Sequence, residues 1–354
     1  MKTNFTELFM FAGMMAVLFS CDNDENGPSG KYSNGIFISN EGAFGAGNAS
    51  VSFYSTTGDS IVNDIFFNEN NRPLGDVLQS ALNYDGKTYL VVNASGKIEV
   101  VNSEDFSEQD VIESLENPRF ITEKNGMLYV TQWGEGGTVK IIDPNSNEIV
   151  ETIQVGTGPE IILSSADYII VANKGGYGED STISIIDPGS NEVVKTIQTG
   201  NKPSDMVIDS NGDLWVLNSG TTIWNDDYSQ VLGHKPSSLV KISLSSLEIT
   251  EKIELYSDDH PSILEISPDG QTLYIGGGFI AAGIFEIDIN SPSVPSTPLI
   301  SKSFYNVKVN PLTSEIYGFD AKDWTNAGSF SRYSLSGNLI EEYEAGVGPN
   351  GVAL

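Results

Sequence analysis

Six strand-like runs in this sequence end on a side chain that can donate or accept a hydrogen bond: Asn40, Asn93, Gln132, Asn173, Asn218 and Asp320. A seventh ends at Gly277. Aromatic rings follow most of them within a few positions, as Phe44, Trp133, Tyr177, Trp224, Phe279 and Trp324. A small-molecule site needs a few placed polar groups among apolar and aromatic walls, and this combination supplies both. Asparagine also simply ends strands and begins turns, so the rings make the pattern suggestive of binding. The candidate ligand contacts are Asn40, Phe44, Asn93, Arg119, Gln132, Trp133, Asn173, Tyr177, Asn218, Trp224, Phe279 and Trp324.

Catalytic chemistry finds less support. The chain has two histidines, His234 and His260, too few for a three-histidine zinc or copper centre. It contains neither a GxSxG nucleophile elbow nor a Walker-type phosphate loop. Residues 174–180, KGGYGED, include GGxGxD, but only once, whereas that calcium site is built from tandem copies. Asp209-Ser-Asn211-Gly-Asp213 resembles the start of an EF-hand loop, yet the twelfth position is Gly220 and not glutamate, so a hairpin turn is expected. No catalytic residue or metal site is therefore assigned, and the chain reads as a binder and not an enzyme. The alternative is a calcium-dependent hydrolase, with some of the 48 acidic residues converging on a central ion.

The elements that would position these groups are announced by a repeat. Residues 139–161, VKIIDPNSNEIVETIQVGTGPEI, return at 183–205 as ISIIDPGSNEVVKTIQTGNKPSD, identical at 13 of 23 positions. A period of this length marks a repeat architecture. Each copy reads as a β-branched strand, a turn made by Asp-Pro and Asn or Gly, and a second β-rich strand. With the polar-ended strands, the units fall near 35–76, 77–120, 121–161, 162–205, 206–263, 264–306 and 307–354. Four antiparallel strands per unit, seven times, is the pattern of an all-β, seven-bladed β-propeller. The first unit lacks its innermost strand, and residues 349–354, PNGVAL, match the opening of the fifth, so the C-terminal strand should close the ring and remove an open edge. The short Asp-Pro and Asp-Gly turns then share a lower face. An upper face collects the long aromatic loops, with Arg119, Glu160, Ser204, His260 and Asn350 on the connections between blades.

The first residues stand outside this scheme. Residues 1–20 read as a signal peptide with an apolar run too short to span a bilayer permanently. Cys21 follows as the candidate lipidation site, and residues 21–34 as a flexible acidic tether before the propeller at 35–354. Cys21 is the only cysteine, so no internal disulfide is available. The net charge of −30 at pH 7 opposes contact with nucleic acid or anionic lipid. Membrane attachment is expected through the lipid anchor alone.

Residues 40–54, NEGAFGAGNASVSFY, together with the Ile142-Asp143-Pro144 and Ile186-Asp187-Pro188 repeats, resemble the YncE-like surface propeller lipoproteins of Bacteroidetes across the whole mature chain. That resemblance implies a lipid-anchored protein on the outer membrane, facing the cell exterior. One branch of the group binds cobalamin and passes it to a TonB-dependent outer-membrane transporter. The implied ligand is a corrinoid, a bound cargo and not a cofactor, and the implied partner is such a transporter. A glycan- or protein-binding surface propeller is the other reading.

Overall fold

A computed structural model describes residues 30–277 and 283–353. Seven antiparallel sheets form a ring, with the first strand of blades 2 to 7 and the C-terminal strand in blade 1 innermost and facing a central channel. Blades 2 to 5 and blade 7 are four-stranded meanders. Blade 3, for example, runs through Pro118–Lys124, Met127–Gln132, Thr138–Asp143 and Glu148–Gln154. The expected unit edges at 120, 161 and 205 lie two residues inside the inner strands that begin at Pro118, Pro159 and Pro203.

Blade 1 is closed as the sequence implies. Gly35–Asn40 pairs on one side with Ser50–Ser55 and on the other with Pro349–Ala353, Phe37 opposing Ala353 and Ile38 opposing Val352. Blade 6 departs from the scheme. Among the described residues it has three strands, Ile263–Ile266, Thr272–Gly276 and Phe285–Asp288, plus one bridge from Ile284 to Ile300. Pro292, Pro295 and Pro298 interrupt the stretch where a fourth strand would run, and proline cannot donate to a ladder.

Between adjacent blades lie slabs of buried aliphatic and aromatic side chains, such as Ile170, Ile183, Met206, Leu214 and Val240 between blades 4 and 5. Two expectations need correction here. Residues 30–34 are not tether, because Tyr32 is buried against Phe37, Phe53 and Phe106, and its hydroxyl donates to Glu69 at 2.7 Å. The long upper loop expected to carry Trp224 is in part a two-stranded hairpin, Thr221–Trp224 pairing with Val231–Lys235. The signal peptide, Cys21 and Phe279 lie outside the described residues, and among those described no helix is long and apolar enough to cross a membrane.

Candidate functional site at the upper channel mouth

One backbone device builds the mouth of the channel. The inner strands of blades 1 to 5 each slip register near their upper ends, between Ser39 and Asn40 on the partner strand in blade 1 and at Leu78/Ser80, Pro118/Ile121, Pro159/Ile162 and Pro203/Asp205 in the others. A bulge leaves residues out of the ladder and re-aims their side chains. The residues so released are Asn350, Gln79, Arg119, Glu160 and Ser204, and all five line one hollow. Glu41, Lys174, Asp205, Tyr305 and Lys308 complete it, around a cavity of about 170 Å³.

Its charges are paired in a set order. Arg119 grips Glu160 with both ends of its fork, Nε to Oε2 at 3.0 Å and Nη2 to Oε1 at 2.5 Å. Trp133 donates its indole N–H to the same carboxylate at 3.1 Å, and the Arg119 guanidinium lies 4.4 Å from that ring's centre. Burial works to raise the Glu160 pKa, but the Arg119 and Lys174 charges and these hydrogen bonds outweigh it and hold the carboxyl below its ordinary value. Across the mouth the balance reverses. Burial pushes the Glu41 carboxyl up, against hydrogen bonds from Asn350 Nδ2 at 3.1 Å and the Tyr305 hydroxyl at 3.0 Å. Deeper in, burial raises Asp205 to about 6 although it accepts the backbone N–H groups of Met206 and Leu264, each at 2.9 Å. Lys308 pairs with Glu265 at 2.5 Å. Lys174 stands apart: its ammonium makes no hydrogen bond or ion pair among the described residues.

Aromatic side chains continue from this mouth on both sides. Tyr177, 93% exposed, meets Trp133 edge-on with ring centres 5.2 Å apart. It shares a second hollow of about 720 Å³ with Trp224, Tyr228, Lys202 and Lys235. On the far side Trp324 meets Tyr305 edge-on at 5.0 Å, and the two line a third. The fold thus brings Arg119, Trp133, Tyr177, Trp224 and Trp324 to one face. Phe44 is on an exposed loop tip and joins no ring cluster among the described residues.

The strand-end amides do not form a rim, and this corrects the sequence reading. Asn40, Asn173, Asn218 and Gln132 are buried. Asn40 Nδ2 donates to the hydroxyls of Ser50 and Ser52, Asn173 Nδ2 to those of Thr182 and Ser184, and Asn218 Nδ2 to that of Ser238. Gln132 Oε1 accepts from the backbone of Glu116, and Asn93 Nδ2 ties blade 2 to the Pro118 carbonyl of blade 3 at 2.8 Å. Above three of these amides sits a glycine: Gly346 over Asn40, Gly156 over Asn173, Gly200 over Asn218, each too close to admit a Cβ. The amides lock the second strand to the third inside a blade. Likewise the Asp180 carboxylate accepts from the backbones of Thr157, Ser181 and Thr182, and Asp209 accepts from Asn211, Asp213 and the Trp215 indole, so neither turn presents open calcium ligands.

Sequence reasoning missed Glu41, Lys174, Asp205, Tyr305 and Lys308. The proline that opens the inner strand in blades 3, 4, 5 and 1 marks only Arg119, Glu160, Ser204 and Asn350, and no such signal precedes these five.

Residues 34–346 match the model of DUF5074, a domain of unknown function. The chain belongs to the DUF5074 family. As a DUF5074 member it is similar in fold to several solved propellers. One is a quinonprotein alcohol dehydrogenase-like protein from Bacteroides thetaiotaomicron, 16% identical with a TM-score of 0.65, covering 91% of this chain and 78% of that one. Another is the hydrazine synthase of Kuenenia stuttgartiensis, 15% identical, TM-score 0.61, covering 77% and 86%. A third is the WD40 β-propeller domain of Doa1, 12% identical, TM-score 0.57, covering 80% and 84%. At such identities the likeness is one of fold. Among curated proteins none matches the chain.

Proposed function

We propose that this protein is a non-catalytic, lipid-anchored binder on the outer membrane that holds an amphipathic small molecule across the upper face. The ligand would be handed to a TonB-dependent transporter. The observation that carries this reading is the Arg119–Trp133–Tyr177 cluster beside a charged mouth in which the Lys174 ammonium makes no hydrogen bond or ion pair among the described residues. Rings fixed by an ion pair give flat apolar walls at little cost in ordering, and the mouth offers both donors and acceptors. A corrinoid is the ligand class we favour, because its disc is apolar on its faces and its amide arms need donors and acceptors together. With the strand-end amides buried, that polar recognition falls to Arg119, Lys174, Glu41 and Asn350. Titration calorimetry with cyanocobalamin should show micromolar or tighter binding that Trp133→Ala and Tyr177→Ala weaken. Absence of binding at micromolar concentration removes the corrinoid. A glycan array then tests the second reading, which the exposed Tyr177 and Trp224 beside Asn225 and Asp226 favour as sugar-stacking platforms.

A further inference from the structure

The two histidines, 26 positions apart in sequence, meet on the upper face. His234 lies on the second strand of the hairpin, opposite Thr222, and His260 on the connection from blade 5 to blade 6. His234 Nδ1 and His260 Nε2 are 3.1 Å apart, and the rings are within 29° of parallel with centres 5.3 Å apart. His260 Nδ1 lies 2.8 Å from the Ser219 carbonyl oxygen, which can only accept, so that nitrogen carries a proton. In the neutral ring the remaining nitrogen, Nε2, is then a lone-pair donor aimed at His234. A backbone carbonyl holding the distal N–H is the usual way a metal-binding imidazole is fixed in tautomer and orientation.

From this geometry we infer that His234 and His260 form a two-nitrogen site for a borderline transition-metal dication: Cu²⁺, Ni²⁺ or Zn²⁺. Two imidazole nitrogens about 2.0–2.1 Å from one ion, at angles of roughly 90–109°, sit about 2.8–3.4 Å apart. The observed separation falls in that interval; the two nitrogens now face each other nearly in line, so each ring must turn by roughly 35–45° to aim its lone pair at one ion. Binding shifts the His234 proton from Nδ1 to Nε2, so that both facing nitrogens offer lone pairs to the ion and both rings stay neutral. Among the described residues no third histidine, cysteine or carboxylate joins them, so water completes the shell. The net charge of −30 raises the local concentration of any dication. Imidazole selects the borderline metals over Ca²⁺ and Mg²⁺, which prefer oxygen. The loaded ion would tie the hairpin, which carries Trp224, to the body of the ring. This inference does not depend on the proposed ligand.

The test is calorimetric titration of untagged full-length protein with CuCl₂, NiCl₂ and ZnCl₂ in excess Mg²⁺, which occupies surface carboxylates. One ion per chain is expected, Cu²⁺ tightest, with affinity falling at least about 10-fold in both His234→Gln and His260→Gln, whose circular dichroism matches the parent. Because the chain has only two histidines, imidazole ¹⁵N spectra of the parent protein give a second reading that needs no variant. Zn²⁺ should shift His234 Nδ1 and His260 Nε2 and leave His260 Nδ1 protonated. No binding, equal binding in both variants, or unmoved imidazole signals would overturn the assignment.

Discussion

Replacing Arg119 by methionine tests the electrostatic frame of the mouth. Methionine keeps much of the packing on Trp133 but strips Glu160 of two charge-assisted bonds, at 3.0 and 2.5 Å, leaving the Trp133 indole at 3.1 Å. Removing one partner of a buried pair costs about 3–5 kcal/mol, because the other charge is left uncompensated. Both side chains retain some contact with the channel, 14% exposed for Arg119 and 8% for Glu160, so the lower end, about 3 kcal/mol, is expected at pH 8. The double variant Arg119→Met/Glu160→Gln, with no stranded charge, should lie within about 1 kcal/mol of the parent. The pH dependence is diagnostic. In the parent, the lowered Glu160 pKa contributes stability that is present above the ordinary carboxylate range and lost as pH falls through the lowered value. In Arg119→Met, burial is left opposed only by Lys174 and the indole, the pKa rises, and the penalty is relieved as pH falls. Urea unfolding at pH 8 and pH 5 should therefore show the gap between parent and single variant closing. A loss below about 1 kcal/mol at pH 8, or a gap that widens at pH 5, would refute the reasoning.

Three further outcomes follow from other sites. Asp205, raised to about 6 by burial, contributes stability that is full below the ordinary carboxylate range and lost as pH rises through about 6. Asp205→Asn should flatten the parent's fall in unfolding free energy between pH 5 and pH 8, a fall on the order of 1.4 kcal/mol, and an unchanged slope would contradict the assignment. Gly156→Ala drives a Cβ into the Asn173 amide, whereas Gly200→Ala meets its asparagine at 2.9 Å; thermal melts should show the first more damaging, by about 1–3 kcal/mol. Deleting residues 349–353 leaves the edge of Gly35–Asn40 unpaired; analytical size exclusion should report aggregation or loss of the compact form, and a monomeric, folded product would argue against ring closure.

The ring was legible because a propeller repeats its turn chemistry: Asp143-Pro144 and Asp187-Pro188 announce equivalent hairpins, and Pro349 copies Pro203. Blade 6 was less so, since its prolines erase the outer-strand signal. The amide rim was misread for a physical reason. An asparagine at a strand end has the same sequence signature whether it faces water or caps a neighbouring strand, and only the glycines at 156, 200 and 346 distinguish the cases. Glu41 and Tyr305 reach the mouth from loops, and Lys308 from inside an inner strand, so no periodic position announced them. The histidine pair required the hairpin at 221–235, which the sequence read as loop.

The seam of blade 1 joins residue 37 to residue 353. On the ribosome, more than three hundred residues must emerge before Phe37 can find its neighbour, so blades 2 to 7 accumulate as an open horseshoe. Until then the edge of Gly35–Asn40 that Pro349–Ala353 will cover stays open to pairing with other strands.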